Sequence, residues 1–213
     1  MASSLAATAI VASLAAGSAL PAPSDFTVLR DGTPIGTHRI RAEHVGDETR
    51  VSVEIDLRVK IAFITVYRYS HRNRETWRGG RLVAIDTRTD DNGTEQFVRG
   101  RATPAGLAVE SSSGSRVLPA DIIPTSYWRP IPPDRTKLLD TQQGRLLDVR
   151  VRREAGGTLG AGLAGTQYSV RGDLDLDLWY DAASRLRRIA FDYKGARFDY
   201  TEQTSPSRFA GGS

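Results

Sequence analysis

The sequence predicts an all-β protein: a single strongly curved or barrel-like antiparallel sheet, a meander of about eleven or twelve strands interrupted by one proline- and aromatic-rich crossing segment. Three observations predict it. Apolar and polar residues alternate with period two along most of the chain beyond Asp25. Turn-forming pairs recur between the alternating runs. No stretch carries the long 3.6-residue periodicity of an amphipathic helix.

The first element is not β. Met1 to Ser24 contain no charged side chain. Leu5 to Leu14 form an apolar run, followed by the small residues Ala15-Ala16-Gly17-Ser18-Ala19 and then by Pro21 and Pro23. This pattern predicts a secretory signal peptide over residues 1–19, cut after Ala19, and so a periplasmic or secreted mature chain. Met1-Ala2-Ser3-Ser4 departs from the usual pattern in having no Lys or Arg. The run is shorter than the ~20 residues a bilayer span requires, and the mature chain has no transmembrane candidate. Residues 25–203 then form one β domain, and 204–213 a disordered tail.

Val51, Val53, Ile55, Leu57, Val59 and Ile61 alternate with Ser52, Glu54, Asp56, Arg58 and Lys60, the pattern of a half-buried strand. After Ile61 the phase shifts to Phe63, Ile64 and Val66, which predicts a bulge, a bend or the start of a new strand. Leu147, Val149 and Val151 alternate with Asp148, Arg150 and Arg152. Leu174, Leu176 and Leu178 alternate with Asp173, Asp175 and Asp177, whose expected partners are Arg150, Arg152, Arg185 or Arg187 across the sheet. Ile189, Phe191 and Tyr193 lead to a last strand with Phe198 and Tyr200. Asp31-Gly32, Gly46-Asp47, Gly79-Gly80, Asn92-Gly93, Ser113-Gly114 and Lys194-Gly195 supply the hairpin turns. So many strands should curl, since long flat edges invite aggregation.

Two segments break the meander. Leu118 to Asp134 holds five prolines with Tyr127 and Trp128; it cannot be a central strand and reads as a crossing loop with room for one helical turn. Gly156 to Gly165 holds five glycines and reads as a flexible loop or weak hairpin.

Composition narrows the chemistry. The 213 residues include no cysteine, which excludes disulfide scaffolds, zinc fingers, iron–sulfur sites and thiol nucleophiles. With 39% hydrophobic and 25% charged residues the chain is ordinary globular material. Of 29 cations only Lys60, Lys137 and Lys194 are lysines. The net charge of +4 is uneven: Arg58 to Arg81 holds seven cations and one acid, Glu75. Phe63, Tyr67, Tyr69 and Trp77 are interleaved there. In an exported chain that mixture suits an anionic envelope surface rather than nucleic acid.

Single candidates are few. His38 and His44 lie six residues apart on one strand face, roughly 20 Å, too far to share a metal. His71 sits among Arg68, Arg72 and Arg74, whose charges disfavour its protonation, and is the first choice for a general base. Asp90-Asp91-Asn92-Gly93 fails as a calcium loop, because Arg88 and Arg99 fall at ligand positions, and reads as a turn. There is no nucleophile elbow, phosphate loop, dinucleotide fingerprint or paired-histidine zinc motif. No catalytic residue, metal ligand or cofactor is assigned.

Several runs carry a resemblance: Ile61-Ala62-Phe63-Ile64-Thr65-Val66-Tyr67-Arg68-Tyr69, Asp90-Asp91-Asn92-Gly93-Thr94, Leu118-Pro119-Ala120-Asp121, Pro124-Thr125-Ser126-Tyr127-Trp128, Leu138-Leu139-Asp140-Thr141-Gln142 and Asp173 to Asp181. They resemble those of the exported bacterial domain-of-unknown-function family 6134, over about Asp25 to Tyr200. The resemblance implies no activity. More distantly the chain is similar to exported β-sheet families that resemble lipoprotein carriers, whose curved sheets cradle lipid; this is an analogy of fold.

The leading functional expectation is a module that binds or carries a lipophilic or amphipathic cell-envelope component. Its ligand-binding residues would be Tyr67, Tyr69, Trp77, Tyr127, Trp128 and Trp179, with Arg68, His71 and Arg72. The alternatives are a structural or assembly partner in the envelope, pairing through an exposed edge strand, and an enzyme acting on an envelope polymer. The enzyme would use His71 or a pair among Asp90, Asp91, Asp140 and Asp181 as acid and base.

Overall fold

The computed structural model describes residues 20–61, 63–154, 158–159 and 163–203. The signal-peptide and tail expectations fall on residues outside these. Eight strands follow one another as hairpins: β1 (Ser24–Arg30), β2 (Thr33–Val45), β3 (Glu48–Ile61), β4 (Ile64–Arg78), β5 (Arg81–Asp91), β6 (Thr94–Thr103), β7 (Gly106–Ser111) and β8 (Gly114–Leu118). The crossing segment contributes β9 (Ile123–Pro124) and leads to β10 (Lys137–Leu139) and β11 (Leu146–Glu154). A small pair, β12 (Thr158–Leu159) and β13 (Leu163–Ala164), forms the weak hairpin within the glycine-rich stretch. The chain then runs through β14 (Thr166–Gly172), β15 (Leu176–Tyr180), β16 (Leu186–Tyr193) and β17 (Ala196–Glu202).

Fifteen of these strands make one sheet, ordered β8-β7-β6-β5-β4-β3-β2-β1-β17-β16-β15-β14-β11-β10-β9. The strand count exceeds the expected eleven or twelve mainly because β9, β10, β12 and β13 are two or three residues long, too short to alternate. All pairs in the large sheet are antiparallel except β9 with β10. The β1–β17 pair joins the two ends of the domain and sits mid-sheet.

The sheet must curl for a covalent reason. Its two edge strands, β8 and β9, are consecutive in the chain, with only Pro119 to Ile122 between them. Four linking residues cannot span more than about 18 Å, so the fifteenth strand comes back beside the first. The barrel is not sealed by hydrogen bonds, and Pro119 and Pro124 blunt the facing edges. The phase change after Ile61 marks the β3–β4 hairpin, with a register shift at Val59/Lys60.

One apolar core fills the curl, reaching from Phe26 and Val28 on β1 round to Val98, Leu107 and Leu118 on one flank and Leu178, Ile189 and Tyr200 on the other. The crossing segment lies inside it: Ile122, Ile123, Trp128 and Ile131 are all buried, as are Leu138 and Leu139 on β10. It forms a hydrogen-bonded turn, Ile122 N–H to the Pro119 carbonyl at 3.1 Å. The loop after β10 also packs across the interior. Gly144, at φ +76°, approaches β7 so closely that a Cβ would fall 2.3 Å from Ser111 Cβ. Only glycine meets both demands.

The expected pairing of the aspartates is corrected. Asp173 and Asp175 lie before β15, where they accept backbone N–H groups of Asp148 and Gly172. Asp177 pairs with Arg171 at 2.8 Å, while Arg185 and Arg187 pair with Asp181 and Glu202. The chain turns before Leu176, so the alternating Asp–Leu run is only partly strand.

Candidate functional site

The site is built on β4. Its odd residues face inward and its even residues outward, as the pleat requires. The inward row is Tyr67, Tyr69, His71, Asn73, Glu75 and Trp77; the outward row includes Arg68, Arg72, Arg74 and Arg78. β4 thus has no continuous apolar face, and in a curled sheet one polar face is forced inside. The register extends the polar interior sideways. His71 stands beside Thr89 on β5, which stands beside Gln96 on β6; Asn73 stands beside Thr87. On the other side His71 pairs with Ile55, and Ile55 with His38 on β2.

His38, His71, Asn73, Glu75, Thr87 and Thr89 are all buried. His71 Nδ1 meets the Thr89 hydroxyl at 2.7 Å. Burial, with a smaller push from Arg72, lowers its pKa to about 4. The neighbouring arginine therefore acts in the direction the sequence suggests, but burial is the main cause. His38 is pushed down to about 3, again by burial first and then by His71. Its ring packs between Phe26 and Tyr200, at 5.7 and 5.5 Å between centroids, and neither nitrogen has a hydrogen-bond partner. Asn73 Oδ1, Thr87 Oγ1 and Gln96 Oε1 are likewise buried without partners. His44, by contrast, is exposed at the far end of β2, near Thr49.

Glu75 anchors one end of this strip. Asn73 Nδ2 and Trp77 Nε1 donate to its carboxylate oxygens at 2.7 and 2.8 Å. Burial pushes its pKa up, opposed by those donors, the Ser126 hydroxyl and the Arg129 charge. Arg129 lies over Trp77 at 4.2 Å and over Trp128 at 5.1 Å, and donates to the Gly80 carbonyl. Trp77 and Trp128 meet edge to face at 5.7 Å. At the other end Tyr67 donates to Asp91 at 2.7 Å, and Gln142 bridges Tyr69 and Asp91.

The crossing segment, here called the strap, is pinned over this strip. The Tyr180 hydroxyl donates to the carbonyls of Tyr127 and Arg129. Tyr127 itself is held at φ 54°, a left-handed conformation uncommon for a side-chain-bearing residue.

The structure thus gathers Tyr67, Tyr69, His71 and Trp77 on one inner face, with Tyr127 and Trp128 above them on the strap. It does not bring in the other three. Arg68 and Arg72 point outward, Arg72 onto Asp56 at 2.9 Å. Trp179 sits on the outer face with Ala190, beneath Arg188 at 4.8 Å. Of the four aspartates considered as acid–base partners, Asp90 caps the β5–β6 turn, Asp91 takes the Tyr67 hydroxyl, Asp140 caps its own loop and Asp181 holds Arg185 and Arg187. Asp90 and Asp91 share the β5–β6 turn, Gln142 links Asp91 to Asp140, and each of the four carboxylates is already engaged within the fold. Among the described residues no cluster of three or more potential ligands could hold a metal.

Asn73, Thr87, Thr89 and Ser126 are buried polar residues that sequence reasoning missed; His38 and Glu75 it named without assigning them to a site. The available signal was the double polarity of β4. Arginine at even positions and His, Asn and Glu at odd ones mean that closing the sheet buries a polar row, without telling which of the two.

No curated protein matches the sequence. A solved structure described as a β-barrel-like protein of domain of unknown function DUF1849, from Brucella abortus, aligns with a TM-score of 0.55 at 10% identity, covering 87% of this chain and 96% of that one. At that identity the likeness is one of fold: two curled β sheets of similar extent. The family model described as domain of unknown function DUF6134 matches residues 26–203, from β1 to the end of β17, and the chain belongs to that family.

Proposed function

We propose that this protein is a binding module for an amphipathic molecule, which enters the filled curl of the sheet by displacing the strap from the polar strip. One observation carries the reading: the interior is divided into a polar strip on β4 and β5 and an apolar wall on β1 and β14 to β17, and the strip holds buried polar atoms without partners. An unpaired buried donor or acceptor costs about 1–3 kcal/mol, and native proteins keep few of them. A ligand with a polar head and an apolar body would complete the strip while lying along the wall. The unsealed seam between β8 and β9 gives the strap somewhere to move. The charge-free leader supports export, and hence an envelope component as the class of ligand.

Native mass spectrometry and solvent extraction of the purified protein test this. An amphipathic species should co-purify, or added lysophosphatidylglycerol should raise the melting temperature. Asn73→Leu should weaken that response at least tenfold. A protein that carries nothing and is not stabilised by the lysolipid would overturn the reading. Terminal sequencing of the protein recovered from the producing cells checks cleavage after Ala19.

A further inference from the structure

We infer that the tip of the β3–β4 hairpin is a docking point for an anionic lipid bilayer. β3 pairs with β2 only as far as Leu57, and β4 pairs with β5 only from Tyr69. The residues between them project as a two-stranded ribbon beyond both neighbours. Along that ribbon Phe63 is 100% exposed, Ile64 70% and Val66 45%. Tyr193, 57% exposed, lies at the same end of the barrel, next to the Lys194-Gly195 turn. That turn meets the Asp31 turn through a hydrogen bond from Asp31 N–H to the Arg197 carbonyl. Large apolar side chains left on a protruding tip mark a surface that meets something else.

The charge around the tip says what it meets. From Arg58 to Tyr69 there are three cations, Arg58, Lys60 and Arg68, and no acid. Arg58 and Arg68 stand directly opposite each other in register. Like charges in that position disfavour the pairing. Among the described residues neither these two nor Lys60 forms an ion pair, whereas Arg72 and Arg78, farther along β4, are matched to Asp56, Asp47 and Glu48. An apolar wedge with an unmatched cationic collar complements an anionic headgroup layer over an acyl interior. Each such cation strengthens attachment about fivefold near an anionic leaflet. This goes beyond the strap reading and does not depend on it.

The chain has no cysteine, so one introduced thiol takes one label. Phe63→Cys and, at the opposite end, Val45→Cys would each carry an environment-sensitive nitrobenzoxadiazole dye. With phosphatidylglycerol vesicles the emission at 63 should shift to the blue and rise, and that at 45 should not. Phosphatidylcholine vesicles should leave both unchanged. Added salt, or Arg58→Glu with Arg68→Glu, should weaken binding more than tenfold, with circular dichroism confirming the fold. An unchanged emission at 63, an equal response at 45, or full binding by the charge-reversed protein would overturn the proposal. So would lipid-free dimerisation that Phe63→Asp abolishes, which would assign the tip to a second copy of the chain. None of these outcomes touches the ligand test beneath the strap.

Discussion

The two walls of the interior follow opposite rules. On β1 and β14 to β17 the inward positions are Phe26, Val28, Val170, Leu178, Ile189 and their neighbours, all buried and apolar. On β4 and β5 they are His71, Asn73, Glu75, Thr87 and Thr89, equally buried and polar. Both walls face the same strap: Tyr180 on β15 donates to its Tyr127 and Arg129 carbonyls, and its Ser126 hydroxyl meets Glu75 on β4. The first wall supplies the hydrophobic driving force that closes the sheet. The second subtracts from it, since several of its polar atoms go unpaired.

Substitutions should separate the two. On the apolar wall, Phe26→Ala removes a fully buried ring and should cost about 3–5 kcal/mol in urea unfolding. A loss below about 1 kcal/mol would mean that the closing force lies elsewhere.

The second test is pH, and its sign follows from the strip. His38 and His71 have pKa values pushed down to about 3 and about 4 from an ordinary 6.5. The folded protein therefore binds fewer protons than the unfolded chain in that window. The stability from these groups is complete above pH 6.5 and is lost as pH falls toward 4, at up to about 1.4 kcal/mol per unit for each histidine. Glu75 opposes them. Its raised pKa gives stability that is present below its ordinary 4.5 and is lost as pH rises through the folded value. Between pH 7 and 5 the wild type should lose stability on acidification. His38→Phe should flatten that dependence and Glu75→Gln should steepen it. A Glu75→Gln protein that is still pH-independent would place both histidines in contact with water.

The smallest effect is the most diagnostic. Thr87→Val keeps the shape and deletes an unpaired hydroxyl, so it should stabilise the free protein by about 1 kcal/mol. The equivalent change on a well-satisfied hydroxyl, Thr89→Val, removes the partner of His71 and should destabilise it. If both changes cost the same, the strip is an ordinary hydrogen-bonded core.

Much of this was legible in the residues. The alternation from Val51 to Ile61 predicts β3, the turn dipeptides predict the hairpins, and the prolines of the strap rule out a central strand. Trp77 and Trp128, flagged as separate aromatics, meet edge to face. What was not legible is which of two polar faces turns inward. Arg72 and His71 are adjacent and both hydrophilic, and only the closure of the sheet puts one in water and the other against Thr89. Trp179 shows the converse: a large aromatic expected to line the pocket faces outward, because Leu178 and Tyr180 beside it take the inward positions across a register shift at Trp179/Tyr180.

By itself the sequence determined the all-β class, the hairpin order and the crossing strap, because period-two alternation, turn chemistry and proline are local properties of the chain. Only the tertiary structure decided that β8 and β9 meet, that the strap lies inside, and that the strip on β4 is buried under it. Those outcomes depend on curvature summed over fifteen strands and on contacts between residues as far apart as His38 and Tyr200, which no local pattern encodes.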